Sequence, residues 1–261
     1  MIKNYFIVAW RNMLRNRTSS FINVGGLSVG IAAALLILVF IQKELSYDKF
    51  HKDADRIVHV GVDYRWKDVN KGWNSFIGGF NWVGPIKEIE ETFNHVESSC
   101  WIIPQIFYGE GTTGFNPSVH LSIISDSGEK ELYRETSTSL ASQNLFNFFS
   151  IPLIRGNSET ALSTPNSVVL SRTMSIKYFG DGDAIGKTIY LNDSIPVKVT
   201  GIFEDLPHNT HLNFQIVFSA EHYPGIYIKD MRKWHAYTYL KLKKGSSMEL
   251  FNQELARHQE S

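Results

Sequence analysis

A chain of 261 residues is long enough for one large domain or two small ones, each with a real core. Its 26 basic and 26 acidic residues balance, which argues against a dedicated nucleic-acid binder. The single cysteine, Cys100, excludes an intramolecular disulfide and any zinc site built from several cysteines, and leaves the compartment open.

The balance hides an asymmetry. Residues 1–41 carry Lys3, Arg11, Arg15 and Arg17 and no acid, a net +4. The rest of the chain therefore has 22 of the 26 basic residues against all 26 acids, a net −4. Within residues 2–17, Ile2, Phe6, Ala9, Trp10, Met13 and Leu14 recur at helical spacing, with Lys3, Asn4, Arg11, Arg15 and Asn16 between them. That pattern predicts an amphipathic helix, basic on its polar side, lying flat in a membrane interface over residues 1–20.

Between Arg17 and Lys43 no residue is charged. The apolar centre, Phe21 to Ile41, would span roughly 31 Å as a helix at about 1.5 Å per residue, which matches a bilayer's hydrocarbon core. A transmembrane helix is expected over residues 21–42. Lys3, Arg11, Arg15 and Arg17 all precede it and put the N-terminus in the cytoplasm, with the following domain outside, at a bacterial inner membrane. A cleavable signal peptide would have a shorter apolar region ending in small residues, whereas Gln42-Lys43-Glu44-Leu45-Ser46 follows here. A buried helix of a soluble protein is the other alternative, and the one-sided charge speaks against it. Gly26 and Gly30 form a small-xxx-small pair that admits a second transmembrane helix, although glycine is also simply common in such segments.

Beyond the span, Arg56–Tyr64 alternates with period two and predicts a strand. Residues 68–79, rich in Asn, Gly and Lys, read as loop. A helix is expected over Trp82–Phe93 with Pro85 in its first turn, then a strand from Val96 to Phe107 interrupted by Pro104. Leu121–Ile124 and Lys130–Thr136 read as a hairpin across Asp126-Ser127-Gly128. Phe146, Phe148 and Phe149 form an aromatic cluster of short helix and core. The strand Val168–Ser171 leads to a helix over residues 172–179, capped by Ser171 and ended by Gly180. Strands follow at Thr188–Leu191, Ile195–Phe203, Leu212–Ser219 and Tyr237–Leu242, and a helix at Met248–His258. The fold class is α+β: β-α-β, a mostly β insertion, then β-α.

Few residues carry a chemical signature. Gly109-x-Gly111-x-x-Gly114 matches a dinucleotide fingerprint formally, but Phe115-Asn116-Pro117-Ser118 follows it and predicts no helix to receive a pyrophosphate. Glu204, Asp205, His208 and His211 are metal-ligand types in a turn around Pro207, with no helix to align the imidazoles. Asp181-Gly182-Asp183 lacks the remaining acids of a calcium loop. Cys100 has no basic neighbours in sequence. No catalytic site, cofactor site or metal site is expected.

The motifs together resemble the permease subunits of MacB/FtsX-type ABC transporters, over their first transmembrane helix and MacB-like periplasmic core domain. The resemblance rests on Ala9-Trp10-Arg11-Asn12-Met13-Leu14-Arg15-Asn16 with Phe21 to Gly30, and on Glu44-Leu45-Ser46-Tyr47-Asp48-Lys49-Phe50-His51 with Ala54-Asp55-Arg56-Ile57. Further on it rests on Asn166 to Ser171 with Lys177-Tyr178-Phe179-Gly180, Ala184 to Ile189, and Val199 to Pro207 with Asn209 to Leu212. It implies a porter-like α/β subdomain, residues 43–118 and 232–261, split by a β-rich sabre-like subdomain, residues 119–231. It implies a non-enzymatic component that couples ATP hydrolysis by a cytoplasmic ABC ATPase to movement of the periplasmic domain. The implied partners are other permease transmembrane helices in a dimer, and a periplasmic adaptor or a peptide or lipoprotein cargo. The alternative is a signal-anchored periplasmic binding or sensor module. Family permeases have three more transmembrane helices after this domain, so a chain ending at Ser261 is expected to be a fragment or a truncated product.

Overall fold

A computed structural model describes residues 2–68, 72–78, 80–82, 89–104, 118–125, 127–220 and 235–259. The side chains of Ile2, Phe6, Ala9, residues 62–82, His235, His258 and Gln259 lie outside that description. The chain divides into two compact units, Met1–Asp48 and Lys49–Ser261.

The first unit is helical. Helix α1 covers Ile2–Arg15 and α2 covers Arg17–Leu45. Asn16 separates them because its backbone (φ −110°, ψ 59°) leaves helical space. The 29 residues of α2 extend about 44 Å at about 1.5 Å per residue, so helix continues past the apolar run at both ends. At the C-terminal end Ser46 stops it, its amide bonded to Gln42 O and its hydroxyl donating to Lys43 O at 2.8 Å. Among the described residues α2 is the one helix long and apolar enough to cross a membrane, and none of its side chains is buried.

The second unit is built on strands β1 (Ile57–His59), β2 (Val62–Asp68), β3 (Gly72–Gly78), β4 (Phe80–Trp82), β5 (Val96–Pro104), β6 (Val119–Ile124) and β7 (Lys130–Glu135). After them come β8 (Thr138–Ala141), helix α3 (Leu145–Phe148), β9 (Leu153–Arg155), β10 (Ser167–Ser171) and helix α4 (Arg172–Phe179). Last are β11 (Thr188–Leu191), β12 (Ile195–Phe203), β13 (Ile216–Ser219), β14 (His235–Leu242) and helix α5 (Met248–Gln259). Among the described residues twelve strands form one sheet in the order β1-β14-β5-β8-β13-β10-β12-β11-β6-β7, with β4 on β14 and β9 on β12. The pairs β10–β12 and β8–β13 are parallel and the other pairs antiparallel. The class is α+β, as expected. Strand β14, from the far end of the chain, lies between β1 and β5.

The middle of the sheet is covered on both faces, which explains why β10 is buried at every position. Val168 and Leu170 face a core of Leu121, Ile189, Val197 and Phe218, closed by Met174 and Tyr178 of α4. Val169 points the other way, to Cys100, Phe146, Phe149, Phe203 and Tyr239. Helix α4 follows β10 because Ser171, extended at φ −67°, ψ 159°, accepts a hydrogen bond from Met174 N at 3.3 Å, and Gly180 at φ 60° ends it. A third cluster packs Phe251 of α5 edge-on against Phe93, beside Val96, Leu240 and Leu242. Where β9 meets β12 the backbones approach so closely that a Cβ on Gly156 (φ +91°) would stand 2.5 Å from Thr200 O.

Four expectations are corrected. Arg56–Tyr64 is two strands rather than one: β1 pairs with β14, and after Gly61 the chain leaves to form the separate hairpin β2–β3. The segment expected as loop contains β3, paired from Val62↔Gly78 to Asp68↔Gly72. Ladder bonds are made by backbone, and the strand formers Trp73, Phe76 and Ile77 sit among the glycines and asparagines. Trp82 ends β4 rather than starting a helix; residues 89–92 are helical, and Pro85 lies outside the described residues. The strand expected over Leu212–Ser219 shortens to β13, which lies between β8 and β10 and is buried throughout.

Candidate functional site

Gly26 and Gly30 stand one helical turn apart on α2, hence on one face. A Cβ built on either, or on Gly25, meets nothing within 4 Å. Ser28 Oγ donates to Val24 O at 2.7 Å, so its polarity is satisfied within the helix. Lys3, Arg11 and Arg15 lie exposed on α1, and Arg17 opens α2 with Nε donating to Leu14 O at 3.3 Å. Tyr5 and Trp10 on α1 are 74% and 65% exposed, an apolar surface that water alone would not favour.

The residues with a chemical signature in the sequence have these surroundings. Cys100 is fully buried; desolvation pushes its thiol up to about 12, and Ser142 Oγ donates to Sγ at 3.2 Å. A protonated, enclosed thiol is a poor nucleophile. Asp205 accepts from Thr173 Oγ1 at 2.8 Å and so ties the turn after β12 to the start of α4. Glu204 pairs with Arg172 at 3.3 Å, and His211 packs on Phe149 and Tyr239. Three of the four metal-ligand types are thus taken up by different partners. Asp183 pairs with Arg155 at 2.8 Å and accepts from Ile185 N at 3.1 Å, an Asx turn instead of a calcium loop. Gly109, Gly111 and Gly114 lie outside the described residues. Among the described residues no group of three or more His, Cys, Asp or Glu could hold a metal ion.

Two polar clusters were not legible in the sequence. In the first, Arg56 reaches Asp53 at 2.8 Å, Glu97 at 2.5 Å and Leu242 O at 2.6 Å, and Lys241 reaches Asp53 at 3.4 Å. The Arg56 hydrogen bond, helped by Lys241 and opposed by burial, holds the Asp53 carboxyl below its ordinary 3.8. In the second, buried Glu135 accepts from Lys177 Nζ at 2.5 Å and from Tyr178 OH at 2.8 Å. Burial first, and then the Glu135 carboxylate, raise the Tyr178 phenol far above its usual range. Tyr133, edge-on to Tyr178 with ring centroids 4.8 Å apart, is pushed up to about 12, chiefly by its hydrogen bond to Glu131. Arg56 and Leu242 are 186 positions apart, and only the i,i+3 spacing of Asp53 and Arg56 gave a local hint.

The family model of the MacB-like periplasmic core domain matches residues 20–258. A crystallised domain assigned to a permease protein of Porphyromonas gingivalis is 19% identical, with a TM-score of 0.63 over 80% of this chain and 82% of its own. The periplasmic region of MacB from Actinobacillus actinomycetemcomitans is 13% identical, with a TM-score of 0.46 over 67% of this chain and 71% of its own. The extracellular domain of the ABC-type transporter YknZ from Gram-positive bacteria is 10% identical, with a TM-score of 0.43 over 66% of this chain and 78% of its own. No curated protein matches. An apolar membrane-length helix, an α+β sheet unit and a family match over nearly the whole chain agree: this protein belongs to the MacB-like periplasmic core domain family.

Proposed function

We propose that this chain is the membrane anchor and export-side domain of an ABC transporter permease, and that it couples ATP hydrolysis in a separate cytoplasmic subunit to movement of the outer domain. The observation that carries the reading is the union, in one chain, of a 29-residue apolar helix with no buried side chain and a MacB-like core domain. Lys3, Arg11, Arg15 and Arg17 hold the N-terminus in the cytoplasm, because cationic loops are retained on that side. Gly26 and Gly30 seat a neighbouring permease helix, from the same transporter or its dimer mate, since close approach of backbones replaces the hydrophobic drive that lipid cannot supply. The porter-like part is residues 43–118 with 232–261 and the sabre-like part residues 119–231. The place of β14 between β1 and β5 supports that division, because a late strand completes a sheet begun early. The chain is non-catalytic and needs no cofactor; its outer partners are an adaptor or a peptide or lipoprotein cargo.

Two measurements test this. In a Cys100→Ala background, a membrane-impermeant maleimide applied to intact spheroplasts should label Glu129→Cys and spare Lys3→Cys. The reverse pattern would refute the orientation. The native full-length gene product should co-purify from membranes with an ABC ATPase whose turnover falls when the outer domain is cross-linked. A product without any ATPase would leave the anchored binding or sensor module in its place.

A further inference from the structure

Beside the turn that joins β14 to α5, the second unit has a cleft of about 480 Å³. That volume falls in the range of roughly 300–1,000 Å³ in which small-molecule sites occur. One wall comes from residues 52–56 and the other from residues 242–248. The walls are clamped together by Arg56, whose Nη1 donates to Leu242 O at 2.6 Å, and by Leu242 N donating to Arg56 O at 2.9 Å. The cleft is therefore built before any ligand arrives.

Its charges fall into two sets. Asp53, Glu97, Arg56 and Lys241 form a closed quartet with equal numbers of each sign, and every member is engaged. Facing the same cleft are Lys52, Lys243 and Lys244, all exposed and without an ion-pair partner among the described residues. Asp55 is the one further acid on the walls, so the open set carries a net +2. Three ammonium groups around one concavity repel one another, and an anion between them relieves that repulsion. Met248, 39% exposed, adds an apolar surface, which a bare inorganic anion would not use, while Leu242 is buried in the third cluster.

We infer that this cleft binds an organic phosphate, with Lys52, Lys243 and Lys244 taking the phosphate oxygens and Met248 meeting its organic substituent. The phosphate comes either from a soluble ester or from a phospholipid headgroup; Lys52 follows the last residue of α2 by only seven positions in the chain. The site is independent of the transport role proposed above, and its test needs no ATPase.

The test uses the full chain in phosphatidylcholine nanodiscs, titrated calorimetrically with glycerol 3-phosphate. A second arm uses nanodiscs doped with phosphatidylglycerol, and retained lipid is counted by native mass spectrometry. The wild type is compared with Lys243→Ala/Lys244→Ala, whose changes are confined to an exposed turn, and with Lys198→Ala as a surface control on β12. Circular dichroism checks that each variant is folded. A soluble-ester site predicts that glycerol 3-phosphate binds about tenfold more weakly to the double variant. A headgroup site predicts instead that retention of phosphatidylglycerol falls several-fold while glycerol 3-phosphate binds no variant. The basic residues of α1 are common to all three proteins and cancel. If the double variant matches the wild type in both arms, or if Lys198→Ala loses as much as the double variant, the inference is overturned.

Discussion

Leu35, Leu36, Ile37 and Leu38 of α2 are between 52% and 72% exposed, whereas Val168, Val169 and Leu170 of β10 have no exposed surface at all. Both regions are apolar and regular, yet the strand is buried within its own unit and the helix stays exposed within its own. A helix satisfies its backbone internally, so α2 asks only for an apolar solvent, which a bilayer is. A strand must find both its hydrogen-bond partners and its apolar cover elsewhere in the chain, and β10 finds them in β12, β13 and the clusters on either face. The stability of the sheet unit should therefore depend on particular contacts and ignore side chains on α2.

The largest effect is expected at Phe203, which has no exposed surface and packs between Phe146 at 5.6 Å and Phe214 at 5.8 Å. Phe203→Ala removes a ring from a close-packed site and should cost about 3–5 kcal/mol. Leu36→Ala, on the helix, should leave thermal unfolding of the sheet unit unchanged. Near-ultraviolet circular dichroism of the full chain in detergent reports both; a loss below about 1 kcal/mol at Phe203 would contradict its place in the core. Gly156→Ala comes next. The added methyl would lie 2.5 Å from Thr200 O at a residue with φ +91°, and steric and backbone strain together should cost about 2–3 kcal/mol. Gly128→Ala, also at positive φ but with open space around it, would carry the backbone cost alone and lose less.

The same contrast explains what could be read in the sequence. The α2 helix was plain because its signal is local: a run without charge, flanked by Arg17 and Lys43. The β10–α4 junction was plain for the same reason, since Ser171 and Gly180 act on their own neighbours. The β6–β7 hairpin also stood out, from its alternation and the glycine in its turn. Strand β3 was hidden, because composition argued for a loop and only pairing with β2 makes it a strand. The length of β13 was hidden too, because Leu212 and Phe214 alternate with polar residues and are buried, yet only Ile216–Ser219 joins the ladder. For the candidate site, Gly26, Gly30 and the four N-terminal cations rest on sequence pattern, and the labelling and association measurements test them. The Arg56 quartet and the cleft beside it were not, because their walls are brought together by β1–β14 pairing across most of the chain.

Buried polar contacts should give intermediate effects. Glu135→Ala leaves the buried Tyr178 hydroxyl without its acceptor and should cost about 1–3 kcal/mol by thermal unfolding. Tyr178→Phe removes the donor as well as the need for it and should cost less. The exposed pair Arg172–Glu204 should contribute no more than about 1 kcal/mol, and a double-mutant cycle would show it. Acid supplies the next test. The folded-state pKa of Asp53 lies below the ordinary 3.8, so its contribution is present above that value and is lost as pH falls through the lower folded value. Melting temperatures of wild type and Asp53→Asn should therefore differ at pH 6 and converge as pH drops below about 4. A gap that stays constant with pH would mean that Asp53 acts through shape alone.

The smallest effect on the sheet unit, and the sharpest test of the comparison, is Gly26→Leu. No atom lies within 4 Å of a Cβ at this position, so the leucine meets no steric obstacle within the chain, and thermal unfolding of the sheet unit should not move. If α2 is solvated by lipid alone, nothing else should change either, because one more leucine on a lipid-facing helix only adds apolar surface. If instead a second helix packs across Gly26 and Gly30, the new side chain holds the two backbones apart. Association measured by energy transfer between labelled helices in liposomes should then weaken by about 1–2 kcal/mol, while insertion is unaffected. Unchanged association would mean that lipid, and no partner helix, covers this face of α2.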